Sequence, residues 1–218
     1  MAFQKCIPKL KHSFKGNSPL VSVNLQVLVE LNIEIGMNFC SHCGSKVDHK
    51  VPEDDNRLRY ICISCDTIHY QNPNIVAGTV SVYGEKILLC KRAIEPRKGF
   101  WTLPAGFMEN QESTNDAALR ETWEEAEARV EIDALFSVIN VPQIDQVHMF
   151  FRATMINDKF GAGPESLETD LFSEEDIPWD DLAFPTVKRT LELYLEDRQK
   201  QQFGVHVSDI IRPPKKTE

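Results

Sequence analysis

Residues 106–125 read Gly106-Phe107-Met108-Glu109-Asn110-Gln111-Glu112, seven further residues, and then Arg120-Glu121-Thr122-Trp123-Glu124-Glu125. From Ser113 to about Ala128 the pattern predicts a helix, with Ser113 as N-cap and Asp116 placed three residues on. At about 100° per residue, Glu121, Glu124 and Glu125 fall in one narrow arc. The opposite side is expected to carry Leu119, Trp123 and Ala126, with Ala118 and Thr122 beside them, as an apolar back. Three like charges on one turn repel each other, and hard divalent cations with oxygen ligands relieve that repulsion. Arg120 precedes Glu124 by one helical turn and can hold it. A solvated acidic face is the plain alternative. Against it, Gly106, Glu112, Arg120, Glu121, Glu124 and Glu125 coincide at a given start by chance with odds on the order of 10⁻⁷.

Around this helix the chain is rich in strands. Ile75 to Tyr83 and Lys86 to Arg92 are apolar or β-branched runs separated by Gly84-Glu85, a hairpin signal. Residues 93–112 form a loop punctuated by Pro96, Gly99, Pro104 and Gly106. Val130–Val141 and Gln146–Met155 predict two more strands, with Pro142 near the turn. Asn157 to Leu167 reads as a loop and Ser173 to Asp176 as one helical turn. Pro185 to Gln199 reads as a helix, with Pro at its start and Val187, Leu191, Tyr194 and Leu195 at helical spacing. The tail after Gln202 is expected to be loose. Strands that outnumber helices, with one helix among them, imply an α+β class: a mixed sheet layered with helices.

A second pattern lies upstream: Cys40-x2-Cys43, eighteen residues, then Cys62-x2-Cys65. Two such turns offer four soft ligands, the set that tetrahedral Zn²⁺ takes in a closed structural site. Gly44 follows the first pair, where a knuckle turn needs freedom from Cβ strain. His42 is expected to face solvent, and Cys90, in an apolar strand, to be a small core residue. The domain reading is an N-terminal extension over 1–36, a zinc ribbon over 37–72, a main domain over 73–200 and a tail over 201–218. The extension lacks the patterning of the rest, and Met37 stands just before Cys40, so the functional protein is expected to begin at Met37.

The chain has 218 residues with a net charge of -9, which argues against non-specific nucleic-acid binding. No apolar run is long enough to span a membrane. No secretory signal is evident before the cysteines, and a reducing, cytoplasmic setting is expected. A partner protein for the ribbon, or a homodimer, is left open.

The segment Gly106–Ala128 resembles the Nudix box, G-x5-E-x7-R-E-U-x-E-E-x-G-U, where U is bulky and aliphatic. Thr122 stands where an aliphatic residue is usual, and Glu127 where the box has Gly. The resemblance implies the Nudix α/β/α sandwich. It implies that Glu121, Glu124 and Glu125, with the Gly106 carbonyl, bind catalytic Mg²⁺ or Mn²⁺, and that Glu112 and Arg120 brace loop and helix. It implies hydrolysis of a nucleoside diphosphate joined to another group.

For the substrate, Arg92 and Arg97 are expected to reach phosphates and Phe100 to stack on a base, whereas Trp101 is expected to pack. A ribbon before such a domain resembles two groups: NADH pyrophosphatases, and FAD and ADP-ribose pyrophosphatases. The Ser-Gln-Pro-Trp-Pro-Phe-Pro-x-Ser signature of the first group is absent from the Val141–Phe150 region, so the second is favoured, with release of AMP. A non-catalytic ADP-ribose sensor is the alternative from another class. Among Glu165, Glu168, Glu174 and Glu175, Glu168 is expected to supply a base or further metal contact, because Leu171-Phe172 follows it.

Overall fold

The structure, a computed structural model, describes residues 36–211. The expectations for the extension over 1–36 and for a start at Met37 therefore fall on residues outside the described ones or at their edge. The chain divides into two compact units, Met1–Tyr70 and Gln71–Glu218.

In the first unit, β1 (Val47–Lys50), β2 (Arg59–Cys62) and β3 (Ile68–His69) form a small antiparallel sheet in that order. Among the described residues its interior is little more than Cys40, Pro52, Ile61 and Cys62. Such a core is too small to hold a fold by apolar burial alone.

The second unit is a mixed eight-stranded sheet. Along it run β10 (Ser166–Phe172), β5 (Lys86–Arg92), β4 (Asn74–Tyr83), β9 (Gln146–Met155), β8 (Val130–Val141) and β11 (His206–Asp209), in that spatial order. The short β6 (Trp101–Thr102) pairs with β5 and β7 (Ala105–Phe107) with β4. The pairs β4·β9 and β8·β11 are parallel and the others antiparallel.

Alternation along β5 shows how the layers are built. Ile87 and Leu89 pack in one cluster with Val187, Leu191 and Tyr194 of helix α2 (Pro185–Lys200). Leu88 and Cys90 pack on the other face with Ala126, at the end of helix α1 (Thr114–Ala126). Successive side chains of a strand point to opposite faces, so a run of four apolar residues is explained by cover on both sides. The result is the α/β/α sandwich, and Cys90 and Trp101 lie in the core as expected.

The stretch 93–112, read as a loop, contains the short strands β6 and β7, and three further elements depart from the sequence reading. Residues 166–172, in part read as loop, form β10, an edge strand whose exposed side carries Leu167, Glu168 and Asp170 and so lacks an apolar alternation. The segment after Gln202, expected to be loose, forms β11 at the other edge. There His206 meets Asp197 at 2.7 Å and the Asn140 amide donates to Asp209 at 2.8 Å, the second a contact between positions far apart in sequence. The third is the back of α1. Leu119 and Trp123 are 36% and 48% exposed, while Ala117, Ala118, Thr122, Glu125 and Ala126 form the buried face. The helix lies so close to the sheet that small side chains fill the interface and the large ones turn outward.

Candidate active site and cysteine cluster

The four cysteines come together first. Their sulfur atoms all lie within 4.8 Å of one another, with Cys40 and Cys65 at 3.8 Å and Cys43 and Cys62 at 3.4 Å. Tetrahedral ligation at the usual Zn–S length sets sulfurs about 3.8 Å apart. Gly44 adopts φ +76° in the knuckle, and the His42 side chain is exposed.

The carboxylate turn is assembled by Arg120. Its Nε and Nη2 donate to the two oxygens of Glu112 at 2.6 and 3.0 Å, and Nη1 donates to Glu121 at 2.6 Å and Glu124 at 3.0 Å. Nη2 also donates to the Phe107 carbonyl at 3.1 Å. All five guanidinium protons are thus matched, a geometry that lysine cannot reproduce. Glu112 is held well below the usual carboxylate range, to about 2, by Arg120 first and by the Glu109 backbone N–H next.

Burial pushes Glu125 up to about 7, although the Ala105 N–H donates to it at 3.0 Å, and burial also raises Glu121. These are carboxylates that lack enough local positive charge. Gly106 packs against the Glu121 carboxylate so closely that a Cβ there would overlap it. The missing side chain leaves a cradle beside the oxygens. This donor set, hard oxygens short of counter-charge, fits a divalent cation.

The helix is seated by hydroxyls. Thr122 donates to the Ala118 carbonyl at 2.7 Å and meets Thr79 Oγ1 at 2.7 Å, which in turn meets Ser81 Oγ at 2.7 Å. All three side chains are fully buried, so the threonine at an aliphatic position of the box has its polar atom satisfied. Glu127, at the glycine position, takes the left-handed conformation with φ +48° and donates its N–H to the Trp123 carbonyl at 2.8 Å.

A cavity of about 780 Å³ opens over the ends of β5, β4, β9, β8 and β11. Arg120, Glu121, Glu124 and Glu125 line one side, with Gly106 and Glu109. Arg92 and Glu165 also line it, and Val76, Val141, Ile144, Phe184 and Ile210 give it apolar walls. His148 adds a polar edge, its Nε2 at 2.9 Å from Gln146 Oε1. Burial lowers the His148 pKa to about 4.

Of the residues expected to touch substrate, Arg92 is on the wall, with Nε donating to the Pro96 carbonyl at 2.9 Å and its guanidinium over the Phe184 ring. Arg97 and Phe100 are not on it; they stack on each other at 5.3 Å. Glu168 is not on it either. It pairs with Lys91 at 3.2 Å on the edge of the sheet, past a register irregularity between Ser166 and Glu168. Glu165 is one of the four late glutamates weighed from the sequence, whereas Phe184, Ile144, Gln146 and His148 carry no signal of their own there, because strand order brings them together.

A layered sheet, a cavity over the ends of its strands and a carboxylate turn clamped by arginine define an α/β/α protein with an acidic pocket. Comparison with known proteins gives the family. The NUDIX domain matches residues 72–193, and a Nudix N-terminal zinc-ribbon family matches residues 38–71. The chain belongs to the Nudix hydrolase family and carries its zinc-ribbon module. It is similar to a solved Nudix hydrolase from Nitrosomonas europaea, with 50% identity, 81% of this chain and 100% of that chain covered, and a TM-score of 0.79. It is 29% identical over 113 residues to the ADP-ribose pyrophosphatase of Methanocaldococcus jannaschii, covering 50% of this chain and 67% of that protein. It is 35% identical over 92 residues to the NAD-capped RNA hydrolase NudC of Haemophilus influenzae, covering 40% of this chain and 32% of that protein. The chain thus spans about a third of that relative's length in the match. Among the described residues no helix is long and apolar enough to cross a membrane.

Proposed function

We propose that the protein is a divalent-metal-dependent pyrophosphatase that hydrolyses ADP-ribose to AMP and ribose 5-phosphate, and FAD to FMN and AMP. The observation that carries this is the complete carboxylate turn, clamped by Arg120 on the wall of a ligand-sized cavity. The name of the archaeal relative and the missing NADH-type signature at Val141–Phe150 support the substrate class.

In this reading Glu121, Glu124 and Glu125, with the Gly106 carbonyl, hold Mg²⁺ or Mn²⁺. When bound, the ions lower the pKa of a water and neutralise charge on the pyrophosphate. The chain's own residues do the rest. Arg92 meets phosphate oxygens from the other side of the cavity. Arg120 and Glu112 keep the carboxylates aimed. Phe184, Val141 and Ile144 exclude water around the organic part of the substrate. We assign to Glu165, rather than Glu168, the role of taking the proton from the attacking water, because Glu165 lies on the cavity wall and Glu168 is engaged by Lys91. The cysteine cluster is assigned one structural Zn²⁺, which fits four thiolates in a closed shell.

The test is a hydrolysis screen of the full chain over ADP-ribose, FAD, NADH and nucleoside triphosphates, with Mg²⁺, Mn²⁺ or EDTA and with products identified. AMP released from ADP-ribose or FAD only with metal is the expected result. Tight ADP-ribose binding with no turnover in any metal would favour the sensor reading instead.

A further inference from the structure

We infer that Gly163 is a positioning residue: by docking the loop 157–165 onto the last turn of α1 it carries Glu165 to the cavity. The inference rests on the proton-accepting role given to Glu165 above.

A helix end leaves carbonyls without partners. At the end of α1 two of these are met by the loop: Gly161 N–H donates to the Ala126 carbonyl at 2.8 Å and Gly163 N–H to the Glu125 carbonyl at 3.1 Å. The second contact is possible only for glycine. Gly163 is buried, and a Cβ on it would fall inside the Glu124 carbonyl group, which is backbone and cannot swing away. At Gly161 a Cβ would instead meet the tip of the Glu127 side chain at 3.0 Å, which can move.

From this dock the chain runs only two residues to Glu165, and both sides are pinned. Ser166 N–H donates to the Gly163 carbonyl at 3.0 Å, and Ala93 N–H, just beyond β5, donates to the Glu165 carbonyl at 2.7 Å. Glu165 is therefore held between the end of the carboxylate helix and the end of β5, near enough for its charge to act on Glu121 and Glu125. A methyl group at 163 lifts the loop from the helix and withdraws Glu165. A misplacement of about 1 Å can cost ~10²-fold in rate.

The test compares kcat and KM for the full chain, on the substrate found in the screen, among wild type, Gly161→Ala, Gly163→Ala, Glu165→Gln and the double variant Gly163→Ala/Glu165→Gln. Gly161→Ala is expected to stay near wild type. Gly163→Ala and Glu165→Gln are each expected to lose about 10²-fold in kcat with KM little changed. The double variant is expected to be no slower than Glu165→Gln, because both changes remove one function. Multiplying losses, or a Gly163→Ala enzyme at the wild-type rate beside an impaired Glu165→Gln, overturn the inference alone. Wild-type turnover by Glu165→Gln overturns the role of Glu165 as well, and the family chemistry is then judged separately by Glu124→Gln. Where Gly163→Ala does not fold, a glycine inserted between Pro164 and Glu165 leaves residue 163 without a Cβ and lengthens the run from the dock to Glu165. That variant is expected to be as slow as Glu165→Gln, and full activity overturns the inference.

Discussion

The cysteine cluster and the carboxylate turn are both sets of residues whose chemistry suits a metal ion, and they are built in opposite ways. The four sulfurs turn toward one another, and the strands around them enclose almost nothing else. The carboxylates turn toward Arg120 and toward an open cavity, on a helix backed by a full core. A site whose ligands are all supplied by protein holds a fold together. A site with open positions, supported by a fold that does not depend on it, is suited to exchange ligands and do chemistry.

The sharpest way to break this contrast is to take the metal from each site. Structural zinc in small modules carries about 10 kcal/mol or more of apparent binding free energy, most of it spent on folding. Cys62→Ser, or chelation, is therefore expected to abolish amide-exchange protection over Arg59–Cys62 in the full chain. If those amides remain protected without bound metal, the ribbon folds by other means.

At the carboxylate turn the expected effect is on rate. Glu124→Gln and Glu125→Gln should each lower kcat by on the order of 10²-fold or more, about 3 kcal/mol in barrier, while Tm moves by only a few degrees. Glu112→Gln should cost less. Wild-type kcat for both Glu124→Gln and Glu125→Gln in saturating Mg²⁺ would falsify the enzymatic reading and leave a solvated acidic face.

A third test uses His148, which belongs to the cavity wall rather than to either ligand set. Its pKa falls from the ordinary 6.5 to about 4 because burial disfavours the charged ring. The unfolded chain therefore binds more protons between those values, and stability rises with pH across that window. The contribution is complete above pH 6.5 and is lost as pH falls toward 4, by about 2 kcal/mol between pH 7 and pH 5. Denaturant unfolding at the two pH values should show this loss, and His148→Leu should lack it. An equal loss in both proteins would place the acid sensitivity elsewhere.

The smallest effect expected is at Glu127. A non-glycine residue in the left-handed region costs about 1 kcal/mol, so Glu127→Gly should stabilise the chain by about 0.5–1 kcal/mol, read as a higher denaturation midpoint at constant slope. A lower midpoint would mean that the Glu127 side chain contributes more than its backbone strain costs.

Both ligand sets could be read before any fold was known, because each is local. Cys40-x2-Cys43 and Cys62-x2-Cys65 need only two turns, and Glu121, Glu124 and Glu125 need only the helical period. Ser113 and Asp116 form the capping box as their spacing suggests, with the Ser113 hydroxyl accepting from the Asp116 N–H at 3.2 Å. The hairpin of β4 and β5 is likewise written in two apolar or β-branched runs and the turn between them. The back of α1 differs from its helical wheel, which shows which residues are apolar but not how near the sheet lies. Leu119 and Trp123 are apolar and outward; Thr122 is polar and inward, satisfied by the Ala118 carbonyl one turn back and by Thr79, forty-three positions away.

What the amino-acid sequence determined by itself was therefore the chemistry: two families of ligands, their spacing, and the class of fold that presents them. Only the tertiary structure decided which residues share the cavity. Glu165 rather than Glu168 faces it because a loop docks through Gly163 and because pairing of β10 with β5 sets Glu168 opposite Lys91 at the sheet edge. Arg92 enters the site while Arg97 stacks on Phe100. Ile210 joins the wall only because β11 pairs with β8. Local rules act over a few residues, through backbone geometry and helical or strand period. The cavity depends on strand order and on loops crossing between elements, and those are set by the packing of the whole domain.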